Sequence, residues 1–198
     1  MHPEIETARL RLRQFRAEDF AAHRALVDDD PAVTWAGRRR PITASLRSWA
    51  ERIEGWERDG FGMWIAEVVA TGQVIGHCGL QRMAGTDEVE LGYYLGRPAW
   101  GQGYATEAAG ACLAYGFDSC GLPSIVAVVR RENKASRQVL RKLGMRPERD
   151  GTFYDADATL CRLTADEFRR VHALVSQAGP RPVTGGRAGS GSWRLDRE

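Results

Sequence analysis

The chain has 198 residues, 43% of them hydrophobic and 27% charged, with a formal net charge of +2 at pH 7. That length suits one domain with a sizeable core, and so small a net charge gives no footing for a nucleic-acid or membrane partner. No apolar run approaches the ~18 residues of a membrane span, and the opening MHPEIETARLRLR has no apolar signal-peptide stretch.

Residues 9–15, RLRLRQF, alternate and predict a first strand. Residues 17–29 follow as a helix with Phe20, Ala21, the Arg24 stem and Leu26–Val27 on its inner side. The Pro, Gly and charge of residues 30–42 predict a loop. Thr43 then caps a helix over 44–58, whose Leu46, Trp49, Ile53 and Trp56 form one apolar stripe. Two β-rich runs, 61–70 and 73–83, are separated by Thr71-Gly72 and predict a hairpin, and EVELGYYL at 88–95 is a third. A glycine turn leads into a helix at 105–118, with Gly121 as its left-handed cap and Pro123 beyond. Residues 124–131 predict a buried strand, 133–145 a helix stopped by Gly144, and 152–164 two short strands. A last helix follows, extending the domain over 169–178, and the Gly-, Pro- and Arg-rich residues 179–198 read as a flexible tail. Hairpin-linked strands come first and helix crossovers later. That order predicts an α+β domain with a mixed sheet, antiparallel at the start, and one parallel pair around the helix at 105–118.

Cysteines 78, 112, 120 and 161 form no C-x-x-C pair and have no zinc spacing, so buried free thiols and a cytoplasmic location are expected. The arginines are scattered apart from Arg38–Arg40, which suits coding bias better than a phosphate surface.

The richest stretch is GRPAWGQGYATEAA, residues 96–109. Gly101 and Gly103 let the backbone approach a ligand, and successive N–H groups can form an anion nest. The helix start at Ala105–Thr106 adds free N–H groups and the positive end of its dipole. A dinucleotide fingerprint fails because Thr106 stands where its third glycine belongs, and a P-loop fails for lack of lysine. Taken alone, the turn leaves a plain strand-to-helix connection equally open.

Two motifs in order, ELGYYLGRPAWGQGYATEA and ENKASRQVLRKLGM, resemble the GNAT acyl-CoA N-acyltransferase superfamily over residues 6–168. Within it they resemble the branch of the ribosomal-protein N-terminal alanine acetyltransferases and many uncharacterised small-molecule acetyltransferases. The resemblance implies helices on both faces of a mostly antiparallel sheet whose central parallel pair splays apart, in a monomer or homodimer. It implies acetyl-CoA as co-substrate and no metal. The family loop pattern maps onto Trp100, Gly101, Gln102, Gly103, Tyr104 and Ala105, whose N–H groups, with that of Thr106, would hold the pyrophosphate. Glu107 would point away from it. Gly92 inside the strand suggests a bulge or a close backbone approach. The pantetheine arm would lie in the splay and bond to backbone at Tyr93–Leu95. Asn133 and Ser136 match CoA-contacting positions, and both residue types also favour helix caps.

Acetyl transfer is direct attack of an amine on a thioester, so a base must first take a proton from the ammonium. Glu90, sharing a strand face with Gly92 and Tyr94, is the best carboxylate, a salt-bridged or solvated role being the alternative. Where many relatives carry an acid tyrosine this chain has Leu140, which leaves Ser136 or Tyr94 to protonate the thiolate. His77 would titrate in a useful range, or serve as a core residue. Trp35 would wall the pocket for the acceptor, a small-molecule amine or a peptide N-terminus. A non-catalytic CoA-binding or regulatory module on the same fold is the alternative function.

Overall fold

A computed structural model describes residues 3–35 and 37–170. Eight strands form one sheet: β1 (Ile5–Glu6), β2 (Leu10–Arg13), β3 (Met63–Val68), β4 (Gln73–Arg82), β5 (Val89–Leu95), β6 (Ser124–Arg130), β7 (Arg146–Phe153) and β8 (Ala156–Thr164). Their order is β1-β2-β3-β4-β5-β6-β8-β7. Every neighbouring pair is antiparallel except β5 and β6, whose parallel register holds only at Glu90 opposite Val126. Beyond that pair the strands splay. This is the predicted α+β arrangement.

Alternation along the strands sends side chains to two faces. On one face α3 (Tyr104–Ala114) and α4 (Lys134–Lys142) cover a core that includes Cys78, Leu80, Leu91, Ala127 and Leu163. On the other, α1 (Asp19–His23) and α2 (Ile42–Asp59) cover Phe15, Met63 and Ile65. The four cysteines are free, with Cys78 and Cys112 touching at 3.5 Å between sulfurs. Among the described residues no helix is long and apolar enough to cross a membrane.

Several elements depart from expectation for local reasons. The helix expected over 17–29 is α1 followed by a π-helical turn at Arg24–Asp28. Ala21 faces solvent, and the buried side chains are Asp19, His23, Val27 and Asp28. Asp19 turns inward because it chelates Arg13, at 2.7 and 2.8 Å. Helix α2 begins after Pro41 without a side-chain cap, so Thr43 lies inside it. Its buried face runs through Ser45, Trp49 and Trp56, while Leu46 and Ile53 are about half exposed. The stripe is therefore rotated, and position 52 places an arginine inward.

The hairpin after β3 turns over residues 69–72, with Thr71 and Gly72 N–H both donating to Val68 O. No bulge occurs at Gly92, since β4 and β5 pair without a register shift and Gly79 faces Gly92. No backbone among the described residues approaches Gly92 closely either: the neighbour that a Cβ there would meet is the Met63 side-chain tip, at 2.9 Å. Strand β7 was missed upstream of residue 152. It is a charged edge strand containing Pro147, features that guard an edge and conceal it from pattern reading. Residues 165–170 begin the final helix, capped by reciprocal bonds between Thr164 and Glu167. The extension beyond 170 and the tail at 179–198 lie outside the described residues.

Candidate active site

Alternation along β4 and β5 divides the candidate residues between the two faces of the sheet. The α3 face carries the glycine turn. Gly101 (φ +74°) and Gly103 (φ +83°) both adopt left-handed backbone, and no atom lies within 4 Å of a Cβ at Gly101. The first helical bond of α3 runs from Glu107 N to Gly103 O. The N–H groups of Tyr104, Ala105 and Thr106 therefore have no intrahelical acceptor. Trp100 Nε1 donates to Leu95 O at 2.7 Å and Gln102 Nε2 to Pro98 O at 2.7 Å, bracing the turn on its own preceding segment. Free donors at a helix start, beside the open Gly101 and with Arg9 Nη2 3.4 Å from a Cβ at Gly103, fit a pyrophosphate.

Glu107 points away from the turn, as expected. It accepts from Thr7 Oγ1 (2.7 Å), Arg9 N (2.8 Å) and Arg9 Nε (2.7 Å). Arg9 was not foreseen at the site. Its Nη1 donates to Gln102 O and its guanidinium lies 4.5 Å from the Tyr104 ring centroid. Only tertiary pairing brings residue 9 to the turn, so nothing in the flanking sequence announces it.

Asn133 caps α4, its Oδ1 accepting from Ser136 N at 3.0 Å. Ser136 Oγ lies 2.6 Å from the phenol oxygen of Tyr93. Burial pushes that phenol well above its usual range, so it stays protonated. Leu140 is a buried core side chain.

The α2 face carries Glu90, Tyr94, His77 and Trp35. Glu90 is 5% exposed. Burial raises its pKa, while hydrogen bonds from Tyr154 Oη (2.5 Å), Gln81 Nε2 (3.1 Å) and the Val128 backbone act against that rise. Tyr94 stacks on His77 with 5.3 Å between centroids, and burial lifts its phenol to about 12. Ser136 and Tyr94, the two candidate acids, thus stand on opposite faces, and the hydroxyl beside Ser136 belongs to Tyr93.

His77 is not the isolated histidine it looks in sequence. Its Nδ1 lies 2.7 Å from Nε2 of His23, and its Nε2 lies 3.4 Å from Arg52 Nη2. Burial and the Arg52 charge drive His77 well below its usual range, and burial drives His23 to about 3. The expectation that His77 titrates usefully is therefore overturned. A neutral His77 accepting from Arg52 must carry its proton on Nδ1 and donate to His23, whose own proton then sits on Nδ1.

Trp35 walls this face. It meets Tyr154 edge-on at 5.8 Å, donates from Nε1 to Tyr154 O at 3.0 Å, and lies under the Arg130 guanidinium at 5.3 Å. The Arg38–Arg40 cluster is partly consumed locally, since Arg39 and Arg40 approach Asp29 and Asp28 at 3.8 and 3.9 Å. Between α2 and strands β3 and β4 lies a cavity of about 300 Å³, lined in part by Arg52, Met63 and Gln81.

Residues 9–146 match the acetyltransferase (GNAT) domain family. The chain is 37% identical over 147 residues to the uncharacterised protein YkkB of Bacillus subtilis, covering 72% of this chain and 84% of that one. It is 30% identical over 171 residues to YoaA of the same organism, an uncharacterised N-acetyltransferase, covering 79% and 95%. Among solved structures, an acetyltransferase from Agrobacterium tumefaciens superposes with a TM-score of 0.75 at 28% identity, over 82% of this chain and 95% of that one.

Proposed function

The chain belongs to the GNAT acetyltransferase family, and from that premise we propose direct transfer of an acetyl group to a primary amine held on the α2 face. Acetyl-CoA supplies the activated thioester. The Gly101–Thr106 turn binds its pyrophosphate, and the open edge of β5 beyond Glu90 bonds its pantetheine arm. The acceptor is a small molecule or a peptide N-terminus.

Glu90 is the base. Its carboxylate sits where β5 and β6 are still paired, at the mouth of the splay, and that placement carries the reading. Glu90 takes one proton from the substrate ammonium. The freed amine attacks the carbonyl carbon, forming the C–N bond. Backbone N–H groups of Tyr93–Leu95 stabilise the charge on the carbonyl oxygen. The C–S bond then breaks, and Ser136, polarised by the Tyr93 phenol, supplies a proton to the departing sulfur. The second proton on nitrogen restores Ser136 through solvent.

An acceptor screen with acetyl-CoA, read as free thiol, tests this. Thiol release with at least one amine class is the expected result. Acetyl-CoA is also expected to raise the melting temperature while NAD and ATP do not. A thermal shift without thiol release across a broad amine and peptide panel would instead favour a CoA-binding regulatory module.

A further inference from the structure

The fold places two arginines on the α2 side, Arg13 buried and Arg52 partly buried, and treats them differently. Arg13 is fully engaged, donating to both oxygens of Asp19, to Glu67 at 2.8 Å and to Gln14 O. Arg52 projects inward from α2 and has no carboxylate within ion-pair distance among the described residues. Its Nη2 reaches only the neutral ring of His77, at 3.4 Å, and its Cζ lies 5.7 Å from the Phe15 ring centroid. Its Nη1 is shielded from solvent and has no partner among the described residues. A buried guanidinium left this way is costly unless something else completes it.

The same side chain lines the cavity between α2 and β3–β4, together with Ser48, Phe61, Met63, Gln81 and Arg82. The carboxylate of Asp59, at the rim, is taken up by Arg58 at 2.7 Å and Arg82 at 3.5 Å. Gln81 bridges from the cavity to Glu90. The cavity therefore runs from a cation with no ion-pair partner among the described residues, with Glu51 also in its lining, toward a carboxylate held by neutral hydrogen-bond donors. Met63, which lines it, packs over the paired Gly79 and Gly92. A volume of about 300 Å³ admits a molecule of amino-acid size.

We infer that the acceptor amine carries a carboxylate, and that Arg52 holds this group in the α2–β4 cavity while the amine end meets Glu90. The inference rests on the acetyl-transfer reading above. A planar guanidinium matches a carboxylate fork, and one monoanion neutralises one guanidinium. A zwitterion is complementary to both ends of the cavity at once. His77, kept neutral and fixed by His23, orients Arg52 without competing for the anion.

The test uses the full chain with acetyl-CoA and reads thiol release from matched pairs: the proteinogenic amino acids, β-alanine and γ-aminobutyrate, each beside its carboxamide. The wild type is expected to prefer the acid member of its best pair by about tenfold or more in kcat/KM. Arg52→Gln is expected to bring that ratio close to one, and Arg52→Lys, which keeps charge but loses the fork, to leave an intermediate ratio. Equal use of acid and amide by the wild type overturns the inference and leaves the transferase reading intact. An undiminished acid preference in Arg52→Gln overturns it as well. If no amine of either kind releases thiol, both readings fall, and the acetyl-CoA thermal shift then tells whether donor binding survives.

Discussion

The phenol of Tyr154 donates to Glu90 Oε2 at 2.5 Å, joining the tip of the β7–β8 hairpin to the start of β5. The same hairpin tip accepts from Trp35 Nε1. One residue thus ties the candidate base to Trp35 on the same face of the sheet.

If Glu90 is the base, its charge state sets the low-pH limb of the rate. Burial raises its pKa, so kcat/KM should climb with pH through a range above the usual carboxylate value. Glu90→Gln should lower kcat about 10²- to 10⁴-fold and remove that limb, while the acetyl-CoA thermal shift persists. A pH–rate profile that keeps its limb in the variant would eliminate Glu90 as the base.

Tyr154→Phe should act on the same limb without abolishing activity. The lost hydrogen bond favours the charged carboxylate, so removing it moves the Glu90 pKa further up. The limb should shift to higher pH. A hairpin serving only as packing would change rate or stability and leave the limb where it was.

Why Glu90 was legible and Tyr154 was not is a matter of distance along the chain. Glu90, Gly92 and Tyr94 share a face by alternation alone, and the glycine turn announces itself through residues that touch only their neighbours. Tyr154 and Asp155 adopt left-handed backbone at φ +51° and +60°, the geometry of a two-residue hairpin turn that normally signals itself with Asn or Gly. With neither present, the two strands expected over 152–164 had no marked turn between them, and nothing in the sequence tied their junction to Glu90. Arg52 was hidden for another reason. The apolar stripe of Leu46 and Ile53 seemed to define the inner face of α2, yet those two side chains are about half exposed, and the buried face is the adjacent one. His77 lies 54 positions from its partner His23, a separation that no local pattern spans.

Gly103→Glu should abolish the acetyl-CoA thermal shift. The position has φ +83°, which costs a side chain about 1 kcal/mol, a Cβ there meets Arg9 Nη2 at 3.4 Å, and the added negative charge at the turn opposes a bound pyrophosphate. A modest loss of intrinsic stability with complete loss of the shift is the expected pair of results. Unchanged acetyl-CoA affinity would show that the turn does not hold the pyrophosphate.

The histidine pair should make the protein acid-sensitive well above the carboxylate range. Both rings titrate below their ordinary 6.5 in the native state, His23 at about 3. Below pH 6.5 the unfolded chain therefore binds protons that the native state refuses. Stability is full above that pH and falls as pH drops toward the native values, by up to ~1.4 kcal/mol per pH unit for each ring. Urea denaturation between pH 7 and pH 5 should give a shallower decline in His77→Gln than in the wild type, and parallel slopes would contradict the burial of these rings as neutral species.

Arg52 carries the last prediction, because a binding role and a stabilising role pull its substitution in opposite directions. A cation kept buried for structure resembles Arg13, whose partners Asp19 and Glu67 recover what desolvation costs. Arg52 lacks such partners, and desolvation, followed by the nearby Arg40 charge, lowers its pKa to about 10. Arg52→Met keeps the length of the stem, fills the same space beside Phe15 and removes the charge. It should therefore raise the free energy of unfolding, by about 1–3 kcal/mol, while acetyl transfer to a carboxylate-bearing amine falls. Urea titration and thiol release on the same preparation measure both. A variant that loses stability would mark Arg52 as part of the scaffold, and the cavity beside it would then have no reason to carry an open guanidinium.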